Sequence, residues 1–341
     1  MASLKVENLN TSFRTDDGLV KAVSGVSFAL DEGQTLGVVG ESGSGKSVTF
    51  LTVMGLLDPR QAQVSGSVLI DGEEMLGAKP ARLRSLRGRH IGMIFQDPMT
   101  SLNPVKSIGW QLEEAVLIHH DVTRKEARTR ALDILAEVEI PRANQRIDDY
   151  PHQFSGGMRQ RVMIAMALIN NPAILIADEP TTALDVTTQA QILRLIRRLQ
   201  GEHNMGVVMI THDLGVVAEL ADEVIVMYGG KVVEQAGVED LFAKPEMPYT
   251  WGLLGSLPRL NASGGRLEQI PGQPPSLLNP PSGCPFHPRC EYTMDICRRE
   301  LPELERSVVG EDHLFRCHLD EETRARVWQQ KQALLVGETA A

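Results

Sequence analysis

Residues 40–47 are Gly40-Glu41-Ser42-Gly43-Ser44-Gly45-Lys46-Ser47. This stretch has the spacing of a phosphate loop: glycine, four residues, glycine, lysine, serine. An apolar, strand-like run precedes it, Thr35-Leu36-Gly37-Val38-Val39, and a helix-like run follows, from Val48 to Met54. Those flanks separate a phosphate loop from a glycine-rich turn that happens to carry Lys-Ser. Gly40, Gly43 and Gly45 let the backbone curl round an anion, so that successive amides, with Ser42, Ser44 and Val48 among the binding residues, can point inward at a helix N-terminus. Lys46 is expected to reach the β- and γ-phosphates, and the Ser47 hydroxyl to hold Mg²⁺. The stretch implies a nucleoside triphosphate.

A phosphate loop alone does not choose among GTPases, helicases, kinases and transport ATPases. A second segment narrows the choice. Ile174-Leu175-Ile176-Ala177-Asp178-Glu179 is a short apolar run ending in adjacent carboxylates. Such a run suits a central parallel strand buried on both faces. At its end Asp178 is expected to hold Mg²⁺ through water. Glu179 stands beside it as base, or as the group that positions water for attack on the γ-phosphate. Two carboxylates that merely cap a helix are the plainer alternative.

Between these segments lies Phe154-Ser155-Gly156-Gly157-Met158-Arg159-Gln160-Arg161. Here the chain resembles the ATP-binding cassette (ABC) family, whose signature is commonly Leu-Ser-Gly-Gly-Gln. This copy has Phe154 and Met158 at the first and fifth positions. A hydroxyl and bare amides at the start of a helix, Met158 to Ile169, make a second anion-binding end. The resemblance implies that Ser155, Gly156 and Gly157 close over the γ-phosphate held by a partner subunit. Further matches follow in the family's order. Gln96 fits the glutamine that touches Mg²⁺ and the attacking water, Asp185 of Ala183-Leu184-Asp185 the dimer-interface aspartate, and His212 the histidine on the γ-phosphate. Phe13 fits the aromatic that stacks on adenine.

Composition sets limits. A chain of 341 residues with 42% hydrophobic content can bury a large core. A net charge of −10 argues against nucleic acid as the main partner. The Arg82, Arg84, Arg87 and Arg89 cluster is the exception, read as a solvated face near the nucleotide or an acidic partner. No apolar stretch approaches the roughly 18–20 residues needed to cross a bilayer, and the N-terminus shows no secretion signal.

The coarse pattern is α/β. Segments 4–9, 20–30 and 66–72 read as a small antiparallel β-subdomain. Strand-like segments at 35–39, 91–95, 173–178, 206–210 and 223–228 alternate with longer stretches, the rhythm of a parallel sheet wrapped by helices. Residues 107–140 read as helical, with Ala127, Ala131, Leu132 and Leu135 apolar against polar Glu126, Arg130 and Asp133. The fold implied is a P-loop NTPase of the ABC cassette type: a RecA-like parallel core, an antiparallel β-subdomain and an inserted helical subdomain over about 97–165. In the family that arm receives the coupling helix of a membrane subunit.

The character changes near residue 243, and the chain divides into a cassette over 1–243 and an extension over 244–341. Past Gly264-Gly265, the proline-rich stretch Pro271 to Pro288 reads as an extended linker. All four cysteines fall in the tail: Cys284, Cys290, Cys297 and Cys317. Such clustering favours a shared ligand or disulfides, and a reducing compartment disfavours disulfides, leaving a metal centre. Residues 248–254, 270–275 and 283–290 carry a narrower resemblance, to the ATPase subunits of bacterial oligopeptide/dipeptide ABC importers. It implies a [4Fe–4S] cluster on the four cysteines; Zn²⁺ suits four thiolates as well, and His287 and His318 are alternative ligands. It also implies ATP and Mg²⁺ as cofactors, and a peripheral place on the cytoplasmic face of the cell (inner) membrane. The implied partners are a second, distinct ATPase forming a heterodimer, two transmembrane permease subunits and an extracytoplasmic solute-binding protein. Nickel or glutathione is the alternative solute, and a soluble non-transport ABC ATPase the alternative class.

Overall fold

The computed structural model describes residues 3–182, 184–256, 270–308, 310 and 312–336. Gly264, Gly265 and Ala183 lie outside the described residues. The chain forms two compact units that interleave along the sequence. One holds Ala29–Thr35 and Val68–Ile210 with the start of the first strand; the other holds Val6–Phe28, Leu36–Ser67 and the chain from Thr211 onward.

The first unit is built on three parallel strands, Ile91–Ile94, Ile174–Asp178 and Gly206–Thr211. Ile94 faces Ala177 in register, and Asp178 faces Ile210. Every residue of the three is buried, which continuous apolar runs without polar alternation require. The carboxylate of Asp178 thus ends a strand at the carboxyl edge of a buried sheet, where open α/β sheets place their ligands.

Residues 107–140, expected to be helical, form two helices, Ile108–His119 and Arg124–Glu137. Ser107 caps the first, and His120 leaves it in extended conformation. Thr123 and Glu126 then form a reciprocal capping box that starts the second. Ala127, Ala131 and Leu135 are buried as their spacing requires, together with Ile134. A third helix, Gly156–Leu168, begins two residues earlier than the apolar pattern suggested because Ser155 caps it.

In the second unit the long strands Leu4–Thr15 and Gly18–Leu30 are joined by two residues, a connection only antiparallel neighbours allow. Strand Thr35–Val39, feeding the phosphate loop, pairs in parallel with Glu223–Tyr228. Lys231–Gly237 then adds antiparallel to Glu223–Tyr228, with an irregularity between Val232 and Glu234. The tail extends this sheet: Leu314–Phe315 pairs with Lys231–Gly237, and Glu305–Arg306 pairs with Leu314–Phe315.

The proline-rich stretch is not the extended linker its composition suggested. Residues 271–288 hold no helix or strand, yet Cys284 and Phe286 are buried. The Phe286 ring lies 5.3 Å from Tyr228 and 5.4 Å from Tyr249. Prolines carry no N–H that needs a ladder partner, so an irregular backbone can lie on a core while its interspersed apolar side chains fill it. Trp251 and Trp328 belong to the same core, and their indole N–H groups donate to Pro245 and Ala243 carbonyls at 2.7 Å each. Beside them runs a buried polar chain. Glu234 accepts from His313 Nε2 at 2.8 Å and from the Glu246 amide at 2.5 Å, while Glu246 binds Ser307 and Arg324. Each carboxylate keeps donors in place of water, without which burial would be costly.

Trp251 is 1% exposed. Trp251→Ala should cost about 3–5 kcal/mol of stability, measured as a fall in the denaturant midpoint of the full chain, whereas Trp251→Phe should cost visibly less.

Candidate nucleotide site

The phosphate loop closes on a helix, Lys46–Val53, whose N-cap is Gly45. Gly40, Gly43 and Gly45 have φ of 149°, 79° and 100°, which side chains rarely tolerate. An added Cβ would stand 2.2 Å from the Met227 carbonyl at Gly40 and 2.5 Å from that of Ala22 at Gly45. At Gly43 it would meet nothing, so this part of the loop faces open space. Lys46 is 6% exposed, and its ammonium donates to the carbonyls of Gly40 at 2.6 Å and Glu41 at 3.0 Å. The Ser44 hydroxyl is buried without a partner, which suits a loop built to receive an anion. Ser42 is exposed, and Ser47 and Val48 are half-buried. A cradle of glycine backbone, a buried cation and an orphaned hydroxyl fit a polyphosphate.

The same unit carries Phe13, half-buried on Leu4–Thr15, and His212, exposed just past Thr211. The Thr211 hydroxyl accepts from the Asp213 amide at 3.0 Å, and Asp213 caps the next helix, Leu214–Leu220. His212 therefore sits on a turn tied down on both sides.

In the other unit Asp178 is buried and Glu179 follows it in left-handed conformation, φ 46°. Such a backbone is strained for a residue with a side chain and is found where function holds a group in place. Its amide donates to Ile210 O at 2.9 Å. One Glu179 oxygen accepts from Gln96 Nε2 at 2.8 Å and from the Thr182 hydroxyl at 2.9 Å. Gln96 and Glu179, 83 positions apart in the chain, thus meet directly. Thr182 is a residue the sequence reading missed, since a lone threonine three positions after a carboxylate carries no signal of its own.

Ser155 and Gly156 are exposed, and Ser155 accepts from the Met158 amide at 3.3 Å. Phe154 points the other way and is 4% exposed, so its departure from the common leucine concerns the core. An added Cβ at Gly157 would come within 2.8 Å of the Thr188 methyl. Asp185 caps the helix Val186–His203, accepting from Thr188 N at 3.0 Å and Oγ1 at 2.7 Å, and these bonds hold its pKa below the usual range. The adjoining Val186 is 84% exposed. Of the arginine cluster, Arg82 binds Glu73 and Arg87 is half-buried, while Arg84 and Arg89 are exposed.

All four cysteines are free thiols in or against one apolar cluster. Burial pushes the Cys284 thiol up to about 11 and Cys317 up to about 12, with neighbouring cysteines adding to each shift; Cys290 is raised for the same reason. Among the described residues no group of three or more His, Cys, Asp or Glu side chains is arranged to hold a metal ion. The thiols are gathered but not converged on one point. His287 Nδ1 lies 3.0 Å from the Cys284 carbonyl and His318 Nε2 3.0 Å from that of Glu300, so one nitrogen of each faces a backbone oxygen.

Two residues from the C-terminal stretches that carry the narrower resemblance reach the phosphate loop, a contact that no local pattern marks. Tyr249 Oη accepts from the Glu41 amide at 2.9 Å, and Arg289 forks onto the Glu41 carboxylate.

The chain matches known proteins. Residues 23–182 match the family described as ABC transporter, and residues 233–297 the oligopeptide/dipeptide transporter C-terminal region. The chain is 51% identical over 320 residues to the dipeptide transport ATP-binding protein DppD of Bacillus subtilis, covering 94% of this chain and 95% of that protein. It is 50% identical over 299 residues to the oligopeptide transport ATP-binding protein OppD of Salmonella typhimurium, covering 88% and 89%. Among solved structures, the dimeric, ADP- and phosphate-bound cassette MJ0796 superposes with a TM-score of 0.62 at 30% identity, covering 69% of this chain and 98% of that one. The chain belongs to the ATP-binding proteins of ABC transporters, in the group that carries the oligopeptide/dipeptide C-terminal region. It is an ATPase of that class, for which ATP and Mg²⁺ are expected. No helix among the described residues is long and apolar enough to cross a membrane.

Lys46→Ala should weaken ADP binding by the full chain about 10- to 100-fold, the loss of one charge-assisted contact. Titration calorimetry measures it, and unchanged affinity would remove Lys46 from the phosphate site.

Proposed function

We propose that this chain is the ATP-hydrolysing subunit of an importer that takes up di- and oligopeptides through separate membrane permeases. The carrying observation is that Glu179, strained and held by Gln96, stands at a strand end in a chain whose tail matches the oligopeptide/dipeptide transporter region. Gly40, Ser42 and the run from Gly43 to Val48 bind the phosphates, Lys46 the β- and γ-groups, and Phe13 the adenine. Ser47, Asp178 and Gln96 hold Mg²⁺, which when bound neutralises phosphate charge. Glu179 orients water and takes its proton, and His212 contacts the γ-phosphate.

The signature residues Ser155, Gly156 and Gly157 and the interface residue Asp185 serve a second ATPase, a distinct homologue in a heterodimer. Exposed Ser155 and Val186 support a partner subunit at this surface, as does the dimeric form of MJ0796. We assign the cassette to 1–243, its helical arm to about 97–165 and the extension to 244–341. On the arm Met99, Val105 and Ile118 are 60%, 73% and 67% exposed, apolar side chains that a permease helix would cover. Two permeases, an extracytoplasmic solute-binding protein and a peripheral place on the inner membrane complete the assembly, with no nucleic acid partner. Differential binding of ATP by closed and open dimers turns hydrolysis into motion.

The cysteine tail holds a structural metal, a [4Fe–4S] cluster in preference to Zn²⁺. Four free thiols gathered in one small core are the support, and side-chain rotation would have to bring them into coordination. Because burial raises the pKa of the Cys284, Cys290 and Cys317 thiols, metal must displace protons there, so loading should strengthen as pH rises.

Glu179→Gln should lower turnover of the reconstituted transporter about 100-fold or more while ATP still binds. Wild-type turnover, in a complex where this site alone is competent, would overturn the assignment. Anaerobically purified wild-type protein should be brown and carry iron, and Cys290→Ser should lose both while retaining ADP binding. Colourless protein holding zinc would replace the cluster, and metal-free protein with an ordered tail would exclude both. Peptide uptake by the assembled complex tests the solute; uptake of nickel or glutathione alone would redirect it.

A further inference from the structure

Glu41 is the second residue of the phosphate loop, and the roles above leave it unused. Its carboxylate accepts both terminal nitrogens of Arg289, Nη1 to Oε2 at 2.5 Å and Nη2 to Oε1 at 3.0 Å. The Arg289 side chain is 4% exposed and that of Glu41 27%. Arg289 Nε donates to Pro271 O at 2.7 Å, Nη2 to Ile270 O at 3.2 Å and Nη1 to the Tyr228 hydroxyl at 3.3 Å. Each of its three nitrogens therefore has an acceptor, the condition under which a buried guanidinium is tolerated. The Glu41 amide is taken by Tyr249 Oη, and the Glu41 carbonyl by Lys46 Nζ. One residue of the loop thus carries the phosphate-binding lysine on one side and two extension residues on the other.

We propose that Arg289 is a positioning residue of the nucleotide site, through which the C-terminal extension sets the affinity of the phosphate loop for nucleotide. A planar fork meeting a carboxylate fixes both distance and orientation, which a single point charge does not. Arg289 is itself held by a tightly turned segment. Cys284 N donates to Cys297 O at 2.8 Å, His287 N to Cys284 O at 3.1 Å and Arg289 N to Phe286 O at 3.0 Å. The fold of the cysteine segment therefore fixes where the guanidinium stands, and the guanidinium fixes the first turn of the loop. No property of the cysteines themselves is needed for this link. It rests on the nucleotide role of the loop proposed above.

The test is ADP affinity of the full chain by titration calorimetry, with melting temperature recorded for every variant. Glu41→Ala and Arg289→Ala should each weaken ADP binding about tenfold, and the double variant should be no weaker than either, because both remove the same contact. Arg289→Lys should not restore affinity, since an ammonium cannot reproduce the fork. In the assembled transporter the KM for ATP should rise in Glu41→Ala with kcat largely kept. Lys46→Ala is the control: if it binds ADP normally, the loop's nucleotide role fails and the clamp with it. If Lys46→Ala loses ADP while Glu41→Ala binds like the wild type, the clamp alone fails. A pair acting only through net charge would make Glu41→Ala tighter, by leaving an unmatched cation near the phosphates, and that result also overturns the proposal. Should Arg289→Ala not fold, Glu41→Ala decides alone, because its side chain is partly exposed and leaves the Pro271 and Ile270 contacts of Arg289 intact.

Discussion

A loop that binds phosphate through its own backbone must hold some of its amides for the ligand, and so cannot be stabilised by the ladder that holds the strand before it. That constraint organises much of what surrounds residues 40–47. Three positive-φ glycines make the turn, and carbonyls of Ala22 and Met227 stand where Gly45 and Gly40 would carry a side chain. The chain has to brace the loop from outside: a buried parallel strand feeds it, a helix receives it, and Lys46 closes it on two of its own carbonyls. Tyr249 and Arg289 brace it from the extension at Glu41. A tail of this kind is therefore part of the nucleotide-binding unit and no appendage to it.

The carboxylate half solves a different problem. Glu179, proposed above to orient the attacking water, has to be held still, and the Gln96 amide and the Thr182 hydroxyl both donate to one of its oxygens. The left-handed backbone at Glu179 turns the side chain out of the strand line, a strain tolerated because Ile210 takes its amide.

How much of this the sequence revealed depends on the distance over which each feature is written. The buried strands were legible because five or six apolar residues in a row admit few readings, and the phosphate loop because its requirement is local. The Thr123 and Glu126 capping box, which breaks the arm into two helices, was written in the sequence but hidden by an apolar pattern that runs across it. The proline-rich stretch was misread because composition reports the absence of ladders and is silent about packing; Cys284 and Phe286 bury all the same. Glu41 and Arg289 are 248 positions apart, and nothing local marks either as the other's partner. The cysteines announced a shared site, while the packing that gathers them could only come from the folded tail.

Everything above depends on where nucleotide sits relative to Lys46, and a structure of the full chain with Mg²⁺ and a non-hydrolysable ATP analogue would show it. Phosphates are expected against the amides of residues 43–48, with the Lys46 ammonium moved from the Gly40 and Glu41 carbonyls onto phosphate oxygens. Nucleotide bound elsewhere, with Lys46 still on those two carbonyls, would contradict this placement.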